Sequence, residues 1–158
     1  MQTATTILLW FCALGCGLLG GLYLAFSAFI MSAFESVGAA HAVTAMNAIN
    51  ARIVRSLFMP LFLGTTLGSA ALAIIGLRHH SPAGTLLLAG GTLYVLGMFG
   101  VTMIWNVPLN NALAAAEGKP ETGAAWSNYY RRWTRWNHLR TLASTGAAAS
   151  FIAALVCR

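Results

Sequence analysis

Two short stretches hold side chains of the kind that do chemistry. Trp105–Asn111 reads WNVPLNN, three amides around Pro108, and Trp133–Thr141 reads WTRWNHLRT, with two indoles, two guanidinium groups, an imidazole and an amide. Amides and a guanidinium can hydrogen-bond and stabilise an oxyanion. An imidazole can move a proton near neutral pH, and indoles offer flat faces for stacking. At about 100° per residue, Trp133, Trp136, Asn137, Arg140 and Thr141 fall within a helical arc of about 140°, with Arg135 and Leu139 opposite and His138 at the arc's edge. An interfacial belt of tryptophans and snorkelling arginines accounts for Trp133, Arg131, Arg132 and Arg135. It does not account for Asn137, His138 and Arg140. In WNVPLNN, Asn106 and Asn110 share a face at i,i+4 with Trp105 beside them; one asparagine could satisfy carbonyls freed by Pro108, but three point to a pocket.

The elements that position these residues are membrane helices. Of 158 residues 58% are hydrophobic and 8% charged, against about 25% charged in a soluble domain. Mean hydropathy is +0.72. Met1–Phe34, Ser56–Leu77, Ser81–Ala116 and Thr141–Cys157 contain no Asp, Glu, Lys or Arg. Each run is long enough to cross a bilayer, which takes about 20 apolar residues. The expected fold is all-α: one domain over 1–158, a four-helix transmembrane bundle with helices near 5–34, 57–77, 84–113 and 126–157. Gly17-x-x-x-Gly21, with Gly15 and Gly20 nearby, and Gly64-x-x-x-Gly68 read as packing seams. The first run lacks the basic n-region of a signal peptide and is too long for one, so it is expected to remain as a helix.

Between the first two spans, ESVGAAHAVTAMNAINARIVRS is amphipathic, with Met46, Ile49 and Ile53 on one face. Pro60 should kink or restart the next helix, and Pro108 should bend the third. The pattern of connections brings Asn47, Asn50, Arg52 and Arg55 of the amphipathic segment to the same end as WNVPLNN and WTRWNHLRT. Polar groups from three parts of the chain therefore converge there, and convergent intramembrane polar groups mark a site. The long connections carry Arg52, Arg55, Lys119, Arg131, Arg132, Arg135 and Arg140, and the other side Arg78 and Arg158; the positive-inside rule places the long connections in the cytoplasm.

Several chemistries are excluded. The charge of +6 comes from residues at helix ends and not from a basic soluble domain, so no nucleic acid is expected. No facing histidine pairs suit haem, and Glu35, Glu117 and Glu121 are too few for a di-iron site. A metal held by Glu35, His41 and His138 is a weak alternative, and the expectation is no metal. Cys12, Cys16 and Cys157 form no C-x-x-C motif and read as small hydrophobes.

The segments GGLYLAFSAFIM, AMNAIN, LYVLGMFGVTMIWNVPLNNAL and WxxYxRRWTRWNHLRT together resemble the DUF1772, or anthrone oxygenase, family over nearly the whole chain. The resemblance implies a small membrane monooxygenase that oxidises an anthrone-like or related flat phenolic compound with O2 and needs no added cofactor. On that reading His138 is the base that forms the carbanion and Arg140 stabilises the resulting anion, assisted by Arg52 or Arg55. Asn106, Asn110 and Asn137 hydrogen-bond the ligand's oxygens, and Trp105, Trp133 and Trp136 stack on its rings. The expected partners are a small hydrophobic aromatic or lipid-like molecule, membrane lipids and a second copy of the chain, in a multi-pass protein of the cell membrane. The alternative is a non-enzymatic membrane protein that binds a quinone, a lipid or a partner subunit.

Overall fold

The computed structural model describes residues 2–79 and 81–157; His80 and Arg158, one of the two arginines assigned to the far side, lie outside them. Five helices account for the chain: α1 Thr3–Ser36, α2 Ala39–Ile53, α3 Phe58–Arg78, α4 Pro82–Ala116 and α5 Thr122–Val156. All but α2 are long and apolar enough to cross a membrane. The expected bundle with its amphipathic segment is therefore the observed architecture, and no strand occurs among the described residues.

Length explains where the site can form. α3 has 21 residues, close to the span of a hydrocarbon core about 30 Å thick, whereas α1, α4 and α5 have 34, 35 and 35. The excess falls at one end. Gly15 of α1 lies against Thr65, seven residues into α3, yet has 21 residues of helix still ahead of it. The ends of α1 and α4 and the start of α5 therefore rise together past the start of α3, and α2 packs among them. Gly38, at φ +86°, permits the reversal from α1 into α2 that a side chain would strain.

Two hydrophobic clusters result. The lower one joins Leu9, Cys12, Cys16, Leu19, Tyr23, Phe62, Leu72, Tyr94, Met98 and Phe151. The upper one joins Phe26, Met31, Ala42, Val43, Met46, Leu109, Leu113, Trp126, Tyr129 and Trp133.

Both prolines differ in effect from a simple bend. Pro60 lies in the first turn of α3, where its missing N–H would have had no intrahelical partner, so the helix restarts rather than kinks. Pro108 does not interrupt α4. The backbone runs in π-helical register over Leu93–Gly100 and Thr102–Asn106 and returns to α-helix at Val107. Such a wider turn admits a residue that cannot donate to the i−4 carbonyl, and it re-aims the side chains around it. Phe26–Ile30 of α1 is π-helical too. These turns lie in the same layer as the polar stretches.

The packing seam of α1 is not its GxxxG pair. A Cβ on Gly17 or Gly21 would meet nothing within 4 Å, whereas one on Gly15 would collide with Thr65 Oγ1 and one on Gly20 would lie 3.2 Å from Ser144 Cβ. In α3 the seam falls as expected: a Cβ on Gly64 would lie 3.2 Å from Phe11, and one on Gly68 2.6 Å from Cys12 Sγ.

Candidate functional site

At the junction of the two clusters, α1, α2, α3, α4 and α5 enclose a cavity of about 350 Å³, within the size range of small-molecule sites. Its walls are apolar: Leu22 and Phe26 from α1, Met46 and Ile49 from α2, Phe58 and Phe62 from α3, and Trp133 from α5. Its polar groups are few. Tyr23, Asn50, Thr102, Asn110, Asn111 and Arg140 line it, and no lining residue is Asp, Glu, His or Cys.

Arg140 is the one charged residue of the lining, 6% exposed. Its guanidinium carbon lies 4.4 Å from the centre of the Tyr23 ring and 5.0 Å from that of Trp133. Two π faces of this kind stabilise a desolvated cation. One terminal nitrogen, Nη2, donates to Asn137 Oδ1 at 2.6 Å, and Nη1 makes a longer bond of 3.4 Å to Thr102 Oγ1. Nε is buried without a partner. Asn137 is itself fixed, since its amide nitrogen donates to the Tyr23 carbonyl and to Ser27 Oγ, both at 2.7 Å. Asn137 thus does not line the cavity; it holds the residue that does.

Asn106 plays a comparable part lower in α4. It is buried, and its amide nitrogen donates to the Trp133 carbonyl at 3.4 Å, joining the two polar stretches. Asn110 reaches the cavity and accepts from the Tyr129 hydroxyl at 2.9 Å. Tyr129 stacks on Trp133 at 5.9 Å and on Trp126 at 5.8 Å, and Phe26 meets Trp133 at 5.6 Å. The aromatic face of α5 is thereby locked against α1 and α4.

The remaining expected site residues lie elsewhere. His138 is exposed and outside the cavity lining, because one step beyond the arc's edge is enough to turn a side chain off the buried face. The assignment of the base to His138 is corrected accordingly. Trp105 and Trp136 do not line the cavity either; they stack on each other at 4.2 Å and 18°. Arg52 and Arg55 are exposed and outside the lining. Of the ten expected site residues, the structure brings Trp133, Asn110 and Arg140 to the cavity and sets Asn106 and Asn137 behind them.

Sequence reasoning missed Tyr23, Phe26, Phe58, Phe62 and Thr102. Each sits in a charge-free apolar run, and only the register of the helices distinguishes a lining ring from a lipid-facing one. The Met46–Ile49–Ile53 face was visible as a period of three to four residues, and all three line the cavity.

Carboxylates secure the layer above. Glu117 accepts from Thr44 Oγ1 at 2.7 Å and from Asn47 Nδ2 at 2.8 Å, which ties α2 to the end of α4. Those hydrogen bonds, from Asn47 and then Thr44, hold its carboxyl below the usual range. Glu35 accepts from Trp126 Nε1 at 2.6 Å, tying the end of α1 to α5. Among the described residues no three His, Cys, Asp or Glu side chains gather as a metal site would need.

No match exists among curated proteins or among solved structures. The family model described as anthrone oxygenase matches residues 51–150. That segment carries Asn106, Asn110, Trp133, Asn137 and Arg140, together with α3 and α4 entire. It spans well over half of the sequence, and the chain belongs to the anthrone oxygenase family.

Proposed function

We propose that the protein is a monooxygenase of the cell membrane that oxidises a flat, electron-rich aromatic, an anthrone or related phenolic compound, with O2. The observation that carries this reading is the cavity itself: an apolar slot walled by Phe26, Phe58, Phe62 and Trp133, with a buried guanidinium facing in. A planar polycycle fits between such walls, stacking on Trp133. Its oxygens meet Arg140, Asn110 and Asn50.

The reaction loses two hydrogens from the methylene carbon opposite the anthrone carbonyl. One atom of O2 becomes the new carbonyl oxygen and the other leaves as water. Once deprotonated, the ligand can reduce O2 directly, so the protein has to bind it, favour its anion and exclude competing solvent. Arg140 supplies the charge for the anion in a site where water is scarce and electrostatic effects are correspondingly larger. Family membership and the slot support this chemistry, and no cofactor enters it.

The test is oxygen uptake by purified protein in lipid nanodiscs with emodin anthrone, measured above spontaneous autoxidation. Wild type should exceed background and Arg140→Gln should fall towards it; uptake by wild type at the background rate would remove the oxygenase reading. A second reading, a non-enzymatic carrier of a quinone or lipid, draws on the absence of any Asp, Glu, His or Cys from the lining. Under it, organic extracts of the purified protein yield a stoichiometric aromatic or lipid, and the anthrone is bound without turnover.

A further inference from the structure

Arg140 is a buried cation that lacks a carboxylate. Glu35 is engaged with Trp126, Glu117 with Thr44 and Asn47, and Glu121 is exposed in the loop before α5. The groups that do surround the guanidinium are an amide, a hydroxyl and two rings, all of them neutral. A desolvated charge held only by neutral groups is costly, and a counter-ion close to it recovers much of that cost. The rings cover both faces and Asn137 occupies Nη2, so what is left for a ligand is Nε, which has no partner, and Nη1, whose bond to Thr102 is long. Two N–H donors side by side suit one oxyanion.

The approach to this edge is apolar. Val54 and Met103 line the cavity and are 56% and 48% exposed, and their neighbours Leu57 and Ile104 are 87% and 61% exposed. An opening bordered by such side chains on a membrane helix faces lipid. An anion crosses lipid poorly, whereas its conjugate acid partitions into it.

We infer that the cavity takes up a lipid-soluble weak acid, a flat phenol or enol, from the bilayer as the neutral molecule and holds it on Arg140 as the anion, with release of one proton to water. The O–H bond breaks heterolytically, the electron pair stays on the ligand oxygen, and the proton passes to solvent at the membrane surface. Nothing is oxidised in this step and no base in the cavity takes part. The inference rests on the reading that the cavity holds a flat aromatic, and it names the acid–base class of that ligand.

Isothermal titration calorimetry of the full chain in nanodiscs, in two neutral buffers of different protonation enthalpy, counts the protons. Three probes share one ring system: 2-anthrol, its methyl ether and anthracene-2-carboxylate. Anthrol, a phenol with a pKa of about 10 in water, should bind with release of about one proton per molecule. The ether should bind about a hundredfold more weakly, with none released. The carboxylate, already ionised, separates the two sources of an oxyanion. Binding of the carboxylate but not of anthrol makes the ligand a carboxylic acid and overturns the weak phenol. Arg140→Lys keeps the charge and should keep the proton release at lower affinity, while Arg140→Gln should bind anthrol and ether alike with none. If Arg140→Gln does not fold, the wild-type proton count decides by itself. Equal binding of anthrol and ether to wild type without proton release overturns the inference and leaves the aromatic cavity standing. Failure of all three probes to bind defeats the cavity reading instead.

Discussion

Asn137→Asp replaces one atom of the group that holds Arg140 and changes the charge of the site. The amide oxygen that accepts from Arg140 Nη2 at 2.6 Å has its counterpart in a carboxylate oxygen, so the guanidinium can keep its place. What is lost is the amide donor to the Tyr23 carbonyl and to Ser27 Oγ. The serine hydroxyl can rotate and donate instead, which leaves one weakened bond, a loss of about 1 kcal/mol. The new ion pair offsets that loss at close range. The fold should therefore persist with its melting temperature shifted by only a few degrees. A ligand oxyanion on Nε would lie on the order of 5 Å from the introduced carboxylate, and at an effective dielectric constant of about 20 their repulsion is about 3 kcal/mol. Affinity for an anionic ligand should then fall by about two orders of magnitude, while a neutral isostere is hardly affected. Titration of the anthrol and its methyl ether against both proteins, with circular dichroism melting in parallel, reads both quantities. A folded Asn137→Asp that binds the anion as tightly as wild type would refute the view that Asn137 is neutral so that Arg140 can be charged towards the ligand.

Three further outcomes follow from the packing. His138→Ala should leave oxygen uptake with emodin anthrone within about twofold of wild type, since general-base loss costs about a hundredfold or more; a drop of that size would return the imidazole to the reaction. Gly68→Ala, whose Cβ would press on Cys12 Sγ at 2.6 Å, should destabilise the bundle by about 1–3 kcal/mol in reversible unfolding. Gly17→Ala and Gly21→Ala, with nothing within 4 Å, should be neutral in the same assay, and a loss equal to that of Gly68→Ala would mean that α1 packs on its GxxxG face after all. The hydrogen bonds from Asn47 and Thr44 hold the Glu117 carboxyl below its ordinary value in the folded protein, so their stabilisation is complete above the unfolded carboxylate range and fades as pH falls through the lowered folded one. Hydrogen exchange in α2 should accelerate below about pH 4, and Glu117→Gln should remove that dependence; an identical acid profile in both proteins would place the latch elsewhere.

The spans were legible because charge-free runs of bilayer length admit one physical solution, a helix that satisfies its own backbone. The meeting of WNVPLNN with WTRWNHLRT was legible too, since the order of spans and connections leaves both at one end, and Asn106 does reach the Trp133 carbonyl. The division of labour within WTRWNHLRT was only partly so. The helical arc separated Arg140 and Asn137 from Arg135 and Leu139 correctly, but it could not place His138, which sits at the boundary where a few degrees decide between cavity and lipid. The π-helical turns before Pro108 shift the register of α4 by more than that margin, and no residue type in LYVLGMFGVTMIWN announces them. Trp105 shows the same limit: its partner turned out to be Trp136 and not a ligand.

Tyr23 illustrates why the strongest contact of the site was hidden. A tyrosine within an apolar helix signals nothing until the opposite face of α5 brings Arg140 over its ring. That pairing determines the character of the pocket. A carboxylate in place of Asn137 would have stabilised the arginine more cheaply, but it would have cancelled the charge on which an anionic ligand depends. Two rings and an amide stabilise the cation without cancelling it. The guanidinium is left oriented, largely dry and still positive towards the cavity. Such an arrangement is less stable than an ion pair and is difficult to explain as scaffolding, because leucine and methionine would fill the same space at lower cost.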